Sequence, residues 1–219
     1  MTPDRRKRLT LVAAILGSAV VFVDGTVVNV ALPALREDLD AGLATQQWVV
    51  EAYLLTLGSL ILLGGSMGDL YGRRRIFATG VAGFGVTSLL CGIAPGAGFL
   101  IAARGLQGVF GALLVPSSLA IITSTFHDHE RAAAIGTWTA WTSAAIAVGP
   151  PLGGALVDAV SWRLIFLINV PFVLACLYLI AHAVPADELA AWLVARRQQA
   201  VATAAPGGAH EDERGQALG

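Results

Sequence analysis

Charge is what this sequence has least of. Only 13% of its 219 residues are Asp, Glu, Lys or Arg, against about 25% in an average soluble domain. So few charges cannot coat a soluble surface of this size. The 14 basic and 15 acidic residues nearly cancel, to a net −1, and nothing in that balance favours a nucleic-acid partner. Cysteine is almost absent. Cys91 and Cys176 both sit inside apolar runs, which reads as packing rather than a disulfide or a metal site. The 25 glycines follow no collagen-like period. Disorder, collagen, a coiled coil and a disulfide scaffold are thereby excluded. What is abundant is apolar: 56% of residues, with a mean hydropathy of +0.71. The class that remains is a polytopic membrane protein.

A helix needs about 20 apolar residues to cross the hydrocarbon core. Six runs qualify: Leu11 to Leu35, Gln47 to Met67, Ile76 to Ala94, Phe99 to Ile122, Ala133 to Val157 and Leu164 to Val184. The first follows Arg5, Arg6, Lys7 and Arg8 but is too long for the apolar core of a signal peptide. The expected fold is all-α, an integral membrane six-helix bundle. It has a basic N-terminal stretch over 1–10, the bundle over 11–184 and a tail over 185–219. Short breaks such as Pro95-Gly96 make successive spans antiparallel. Arg5 to Arg8, Arg73 to Arg75 and Arg131 fall on one side of the bundle, and only Arg36 and Arg163 on the other. The positive-inside rule then puts the N-terminus and the segment after span six in the cytoplasm of a multi-pass cell-membrane protein. Trp48 and Trp162 fall at the expected outer boundary, where interfacial tryptophans collect. Asp187 to Val201 reads either as a short helix on the membrane surface or as unstructured tail, and the acid- and Gly-rich stretch from Ala204 as disorder.

Three charges interrupt the spans. Asp24 lies well inside span one, Arg104 inside span four, and Glu51 about one turn into span two. At 1.5 Å per residue each is about 7–15 Å from the outer end of its span. A charge at that depth costs a few kcal/mol or more unless it is paired or faces water. Asp24 and Arg104 have matching depths and are expected to share an interior face. A bound Arg keeps the Asp ionised, and a proton on Asp24 loosens the pair. The same residues also read as a static structural salt bridge, and Glu51 as a side chain reaching the interface.

Five strings occur in register with the spans: Val23-Asp24-Gly25-Thr26 through Pro33; Gly65-Ser66-Met67-Gly68-Asp69-Leu70-Tyr71-Gly72-Arg73-Arg74-Arg75; Arg104-Gly105-Leu106-Gln107-Gly108; Gly149-Pro150-Pro151-Leu152-Gly153-Gly154; and Trp162-Arg163 through Asn169-Val170-Pro171. This set, in this order, resembles the major facilitator superfamily. Within it the sequence is similar to the drug:proton antiporters of the fourteen-helix type, over Leu11 to Val184. Gly65, Gly68 and Gly72 suit close helix approach and a tight turn. Asp69 suits either a helix start or a pair with Arg73. Gly149-Pro150 suits a bend in span five.

The resemblance implies the N-terminal half of a transporter fold whose substrate binds between two six-helix halves. It implies secondary active export of small drug-like compounds with the proton as coupling ion, no other cofactor, and no enzyme activity. Asp24 is then the proton carrier, Glu51 an auxiliary acid or cation-recognising group, and Arg104 the residue that resets Asp24. Asp69 with Gly65, Gly72, Arg73 and Arg74 forms a latch to the other half. Gln107 and Gly108 complete the span-four motif, and Gly149, Pro150, Gly153 and Gly154 serve the interface between halves. Ala145 stands where the span-five motif often carries Gly. The expected partners are the bilayer, a small-molecule substrate, and a missing C-terminal half or a homodimer partner. A truncated gene product is the expectation for the missing half. A uniporter or symporter of small metabolites, and a non-transporting fragment or interaction protein, stay open beside export. Two further patterns carry little. Gly64 to Gly68 matches G-x-S-x-G but follows a membrane span instead of a strand. His127 to Glu130 is a polar loop rather than a zinc-ligand spacing.

Overall fold

A computed structural model describes residues 2–184; the expected tail helix and disorder lie outside the described residues. The described chain contains helices α1 (Pro3–Leu39), α2 (Leu43–Tyr71), α3 (Arg73–Gly92), α4 (Ala97–Thr125), α5 (Asp128–Ala159), α6 (Leu164–Leu167) and α7 (Asn169–His182), and no strand. Six stretches are long and apolar enough to cross a membrane, the sixth being α6 and α7 together (Leu164–His182).

The first helix runs beyond its apolar segment. Pro3 sits in its first turn, where a missing N–H costs nothing, and the basic stretch expected as a separate N-terminal region is helical. At about 1.5 Å per residue the 37 residues of α1 span about 55 Å, well past the ~30 Å hydrocarbon core. The overhang is tied down. Arg6 Nε and Thr10 Oγ1 donate to the Ala183 carbonyl at 3.2 and 3.1 Å, and Arg74 Nη2 donates to the Ile180 and Ala181 carbonyls, both at 3.2 Å. These cations cap the C-terminus of α7, whose last carbonyls have no helical partner. At the opposite end, Arg163 Nη1 and Trp162 Nε1 donate to Asp38 at 2.6 and 3.0 Å, and Arg163 Nη2 to the Ala94 carbonyl at 3.2 Å. Trp162 is thus buried, with its ring edge-on to Phe166, whereas Trp48 is half exposed. The indole N–H of Trp162 is satisfied there by the half-exposed Asp38.

The packing follows a repeat. Helix α1 lies against α5, α2 against α4, α1 against α4, and α3 against the sixth span. Exchanging spans one to three for four to six maps this pattern onto itself. Three spans per repeat also start the second repeat on the opposite side, the arrangement of inverted repeats. The equivalent pairs α2–α4 and α1–α5 both meet through glycine. A Cβ on Gly64 would strike the Ala112 carbonyl, and one on Gly108 would strike Thr56 Oγ1 and the Tyr53 carbonyl. On α5, a Cβ on Gly149 would strike Thr26 Oγ1, and one on Gly153 would lie 2.5 Å from Val27 Cγ2. Missing side chains here let backbones approach, as in other membrane helix pairs.

A buried charge cluster between four helices

The heart of the bundle holds a carboxylate and a guanidinium, both with fully buried side chains. Asp24 comes from the middle of α1 and Arg104 from the third turn of α4. Arg104 Nη1 donates to Asp24 Oδ2 and, at 2.9 Å, to Gln107 Oε1. Gln107 follows Arg104 by three residues, so both share one face of α4. Gln107 Nε2 donates to Asp24 Oδ1 at 3.1 Å and to Ser88 Oγ on α3 at 2.9 Å. Asn169, the first residue of α7, donates to the same two oxygens at 3.0 and 3.2 Å. Cys91 Sγ approaches Gln107 Oε1 at 3.5 Å.

The guanidinium is held from its other side by α2. Arg104 Nε donates to the Val49 carbonyl at 3.1 Å, and its Cζ lies 4.1 Å from the centre of the Tyr53 ring and 5.6 Å from that of Phe166. Tyr53 is itself fixed by donating to the Val21 carbonyl at 2.9 Å. Cation–π contact in a desolvated site is worth about 2 kcal/mol. Arg104 Nη2 has no hydrogen-bond partner among the described residues. Apolar walls close the cluster, with Val27, Val28, Leu100, Ala103, Ile165 and Phe166 buried around it.

Every group that touches the Asp24 carboxylate donates to it: Arg104 to one oxygen, Gln107 and Asn169 to the other. That geometry matches an ionised carboxylate, which only accepts. A proton on the carboxylate would remove its charge and weaken the charge-assisted bond from Arg104. The carboxylate thus belongs to one hydrogen-bonded network of side chains on four helices, α1, α3, α4 and α7.

The remaining sequence candidates separate from this cluster. Glu51 is exposed on α2, two residues from each of the buried Val49 and Tyr53. Gly72 adopts φ 98° at the α2–α3 turn, a left-handed conformation that suits only glycine. Arg73 pairs with Asp69 at 3.2 Å on the exposed surface and reaches the Ala120 carbonyl at 3.4 Å. Gly65 and Gly68 make only ordinary contacts, a hypothetical Cβ lying 3.7 Å from Pro116 and 3.5 Å from Ser117, so close approach there depends on Gly64. Gly149 and Gly153 are buried against α1, Gly154 is partly buried beside Val30, and Pro150 is exposed. Helix α5 runs on through Pro150 and Pro151.

Three members of the environment were not singled out by sequence. Ser88 and Tyr53 look like ordinary residues of an apolar helix. Asn169 did carry a signal, as an amide in an otherwise apolar span two residues before Pro171.

Six membrane-length helices around an ion pair buried between repeat-related helices define a multi-pass membrane bundle. The model of the Major Facilitator Superfamily matches residues 14–215, and the chain belongs to that family. It is 46% identical over 176 residues to the puromycin resistance protein pur8 of Streptomyces alboniger, covering 80% of this chain and 35% of that protein. It is 43% identical over 168 residues to the tetracenomycin C resistance and export protein of Streptomyces glaucescens, covering 77% and 31%. Against the multidrug efflux pump LfrA of Mycolicibacterium smegmatis it is 42% identical over 185 residues, covering 84% and 36%. The chain thus spans about a third of the length of the curated relatives it matches.

Proposed function

We propose that this chain forms the N-terminal half of a proton-coupled exporter of small drug-like compounds. The observation that carries the reading is the buried Asp24–Arg104 pair, whose carboxylate accepts from three donors and would lose its charge attraction for Arg104 on binding a proton. An intramembrane ionisable residue facing a bundle interior is by default a functional group. The relatives' names, a resistance protein, an export protein and an efflux pump, support an outward direction and a drug-like cargo. Arg104 stays on α2 through Val49 and Tyr53 when Asp24 is neutralised, ready to draw the carboxylate back once the proton leaves. The coupling ion needs no further cofactor. The second half of the substrate site comes from a C-terminal half, because alternating access rocks two bundles around a site between them. The N-terminus and the end of α7 lie on the cytoplasmic side of the cell membrane, as the basic residues on that side favour.

The test is a chimera in which residues 1–184 replace the matched segment of pur8 in a sensitive host. Resistance, and export from everted vesicles that collapses when a protonophore removes the pH gradient, supports the reading. Export that persists without the gradient would make the protein a uniporter. The 219-residue monomer alone, reconstituted in liposomes and shown monomeric by crosslinking, is expected to give no gradient-driven export.

A further inference from the structure

The sixth span is interrupted beside the charge cluster. Helix α6 ends at Leu167, α7 starts at Asn169, and Pro171 has no N–H to give the Leu167 carbonyl. The one amide in this span lies at that interruption, is 2% exposed, and reaches Asp24 Oδ1 and Ser88 Oγ. Gln107 reaches the same two oxygens from α4. Each carboxamide thus spends both N–H groups on the same pair of acceptors. Neither can turn its oxygen inward without setting a carbonyl against the carboxylate, so the network fixes both amide orientations. Ser88 serves as the pivot that holds the two amides in parallel.

We propose that Asn169 is a positioning residue for proton binding at Asp24. It holds the carboxylate in its ionised arrangement, and its release on protonation transmits the event to the interrupted sixth span. This rests on the reading of Asp24 as the proton site. The groups facing Asp24 leave Asn169 a defined share. Among the described residues, α4 contributes Arg104 as the only cation and α3 contributes Cys91, whose thiol points to Gln107. From α2 comes Tyr53, whose hydroxyl is engaged by Val21. The sixth span supplies no titratable group to the cluster, so its only polar link with Asp24 is Asn169.

The experiment follows protonation of Asp24 by infrared difference spectroscopy on the 219-residue chain in lipid nanodiscs. The protonated-carboxyl band is assigned by its loss in Asp24→Asn. Asn169→Ala removes the donor, Asn169→Ser restores a shorter one, and Ser118→Ala is a control for loss of a buried hydroxyl elsewhere. The expected result is a titration midpoint raised by about one pH unit in Asn169→Ala, a tenfold gain in proton affinity. Asn169→Ser should fall between Asn169→Ala and the parent, and Ser118→Ala should leave the midpoint unchanged. If Asn169→Ala does not fold, a raised midpoint in Asn169→Ser carries the same conclusion. A midpoint unmoved in both Asn169 variants, or moved equally by Ser118→Ala, overturns the role of Asn169 while leaving Asp24 as the proton site. A titrating band that survives Asp24→Asn, or no Asp24 titration at all, overturns the proton-site reading itself.

Discussion

Two buried polar clusters share helices α1 and α4 and differ in kind. One is charged: Asp24, Arg104, Gln107, Ser88 and Asn169. The other lies six residues back along α1, about 9 Å away, and is neutral. Trp138 Nε1 donates to Ser18 Oγ at 3.1 Å, the Ser18 and Ser118 hydroxyls are 2.7 Å apart, and Ser118 Oγ reaches the Val115 carbonyl at 2.8 Å. With each proton used once, this second cluster is a one-way chain from Trp138 through Ser18 and Ser118 to a backbone carbonyl. It has one satisfied state and no proton to gain. The Asp24 cluster instead centres on a charged acceptor that takes three donors from two helices. Polar burial thus takes two forms in this bundle, a neutral one-way chain and a charged acceptor surrounded by donors.

The comparison breaks most sharply on removal of one charge. Arg104→Leu leaves a buried carboxylate with two neutral donors and is expected to destabilise the bundle by about 3–5 kcal/mol, read by unfolding in mixed micelles. Asp24→Leu combined with Arg104→Leu should recover most of that loss, since no uncompensated charge then remains. Next in size, Gly108→Leu forces α2 and α4 apart at the Tyr53 carbonyl, the backbone turn behind Arg104. A loss of about 1–3 kcal/mol is expected, and it should also perturb the Arg104–Tyr53 contact in tryptophan-free fluorescence variants. In the neutral cluster, Ser18→Ala leaves the Trp138 indole N–H unpaired, for about 1–3 kcal/mol, with no change in the pH dependence of stability. The smallest effect belongs to the exposed Asp69–Arg73 pair. Asp69→Ala should cost no more than about 1 kcal/mol in folding, so any large loss of export in the chimera would reflect contacts outside this bundle.

The spans were legible because hydropathy acts over some twenty residues and tolerates local error. The depth match between Asp24 and Arg104 was legible for a related reason: a charge in a span must find a partner, and helix rise fixes how far in it lies. Sequence could not show that Gln107 and Asn169 complete the carboxylate. A neutral amide carries no such compulsion, and its partner is chosen by helix rotation. Ser88 was hidden because a serine in a membrane helix can equally bond its own backbone, as Ser59 and Ser66 do. The close approach at Gly64 rather than Gly65 was likewise set by helix rotation, which one residue changes by about 100°. The basic N-terminus read as separate from span one because composition changes there, while the helix, needing only suitable backbone and a capped partner, runs on through it.

The central claim is that Asp24 is where the proton binds. The most direct measurement compares gradient-driven export by the pur8 chimera carrying Asp24→Asn with the same chimera carrying Glu51→Gln, both checked for membrane insertion. Loss of the response to the pH gradient in Asp24→Asn, with the response retained in Glu51→Gln, is the predicted result. A gradient response unchanged in Asp24→Asn would contradict the account and move the proton site to another acid, with the exposed Glu51 the next to examine.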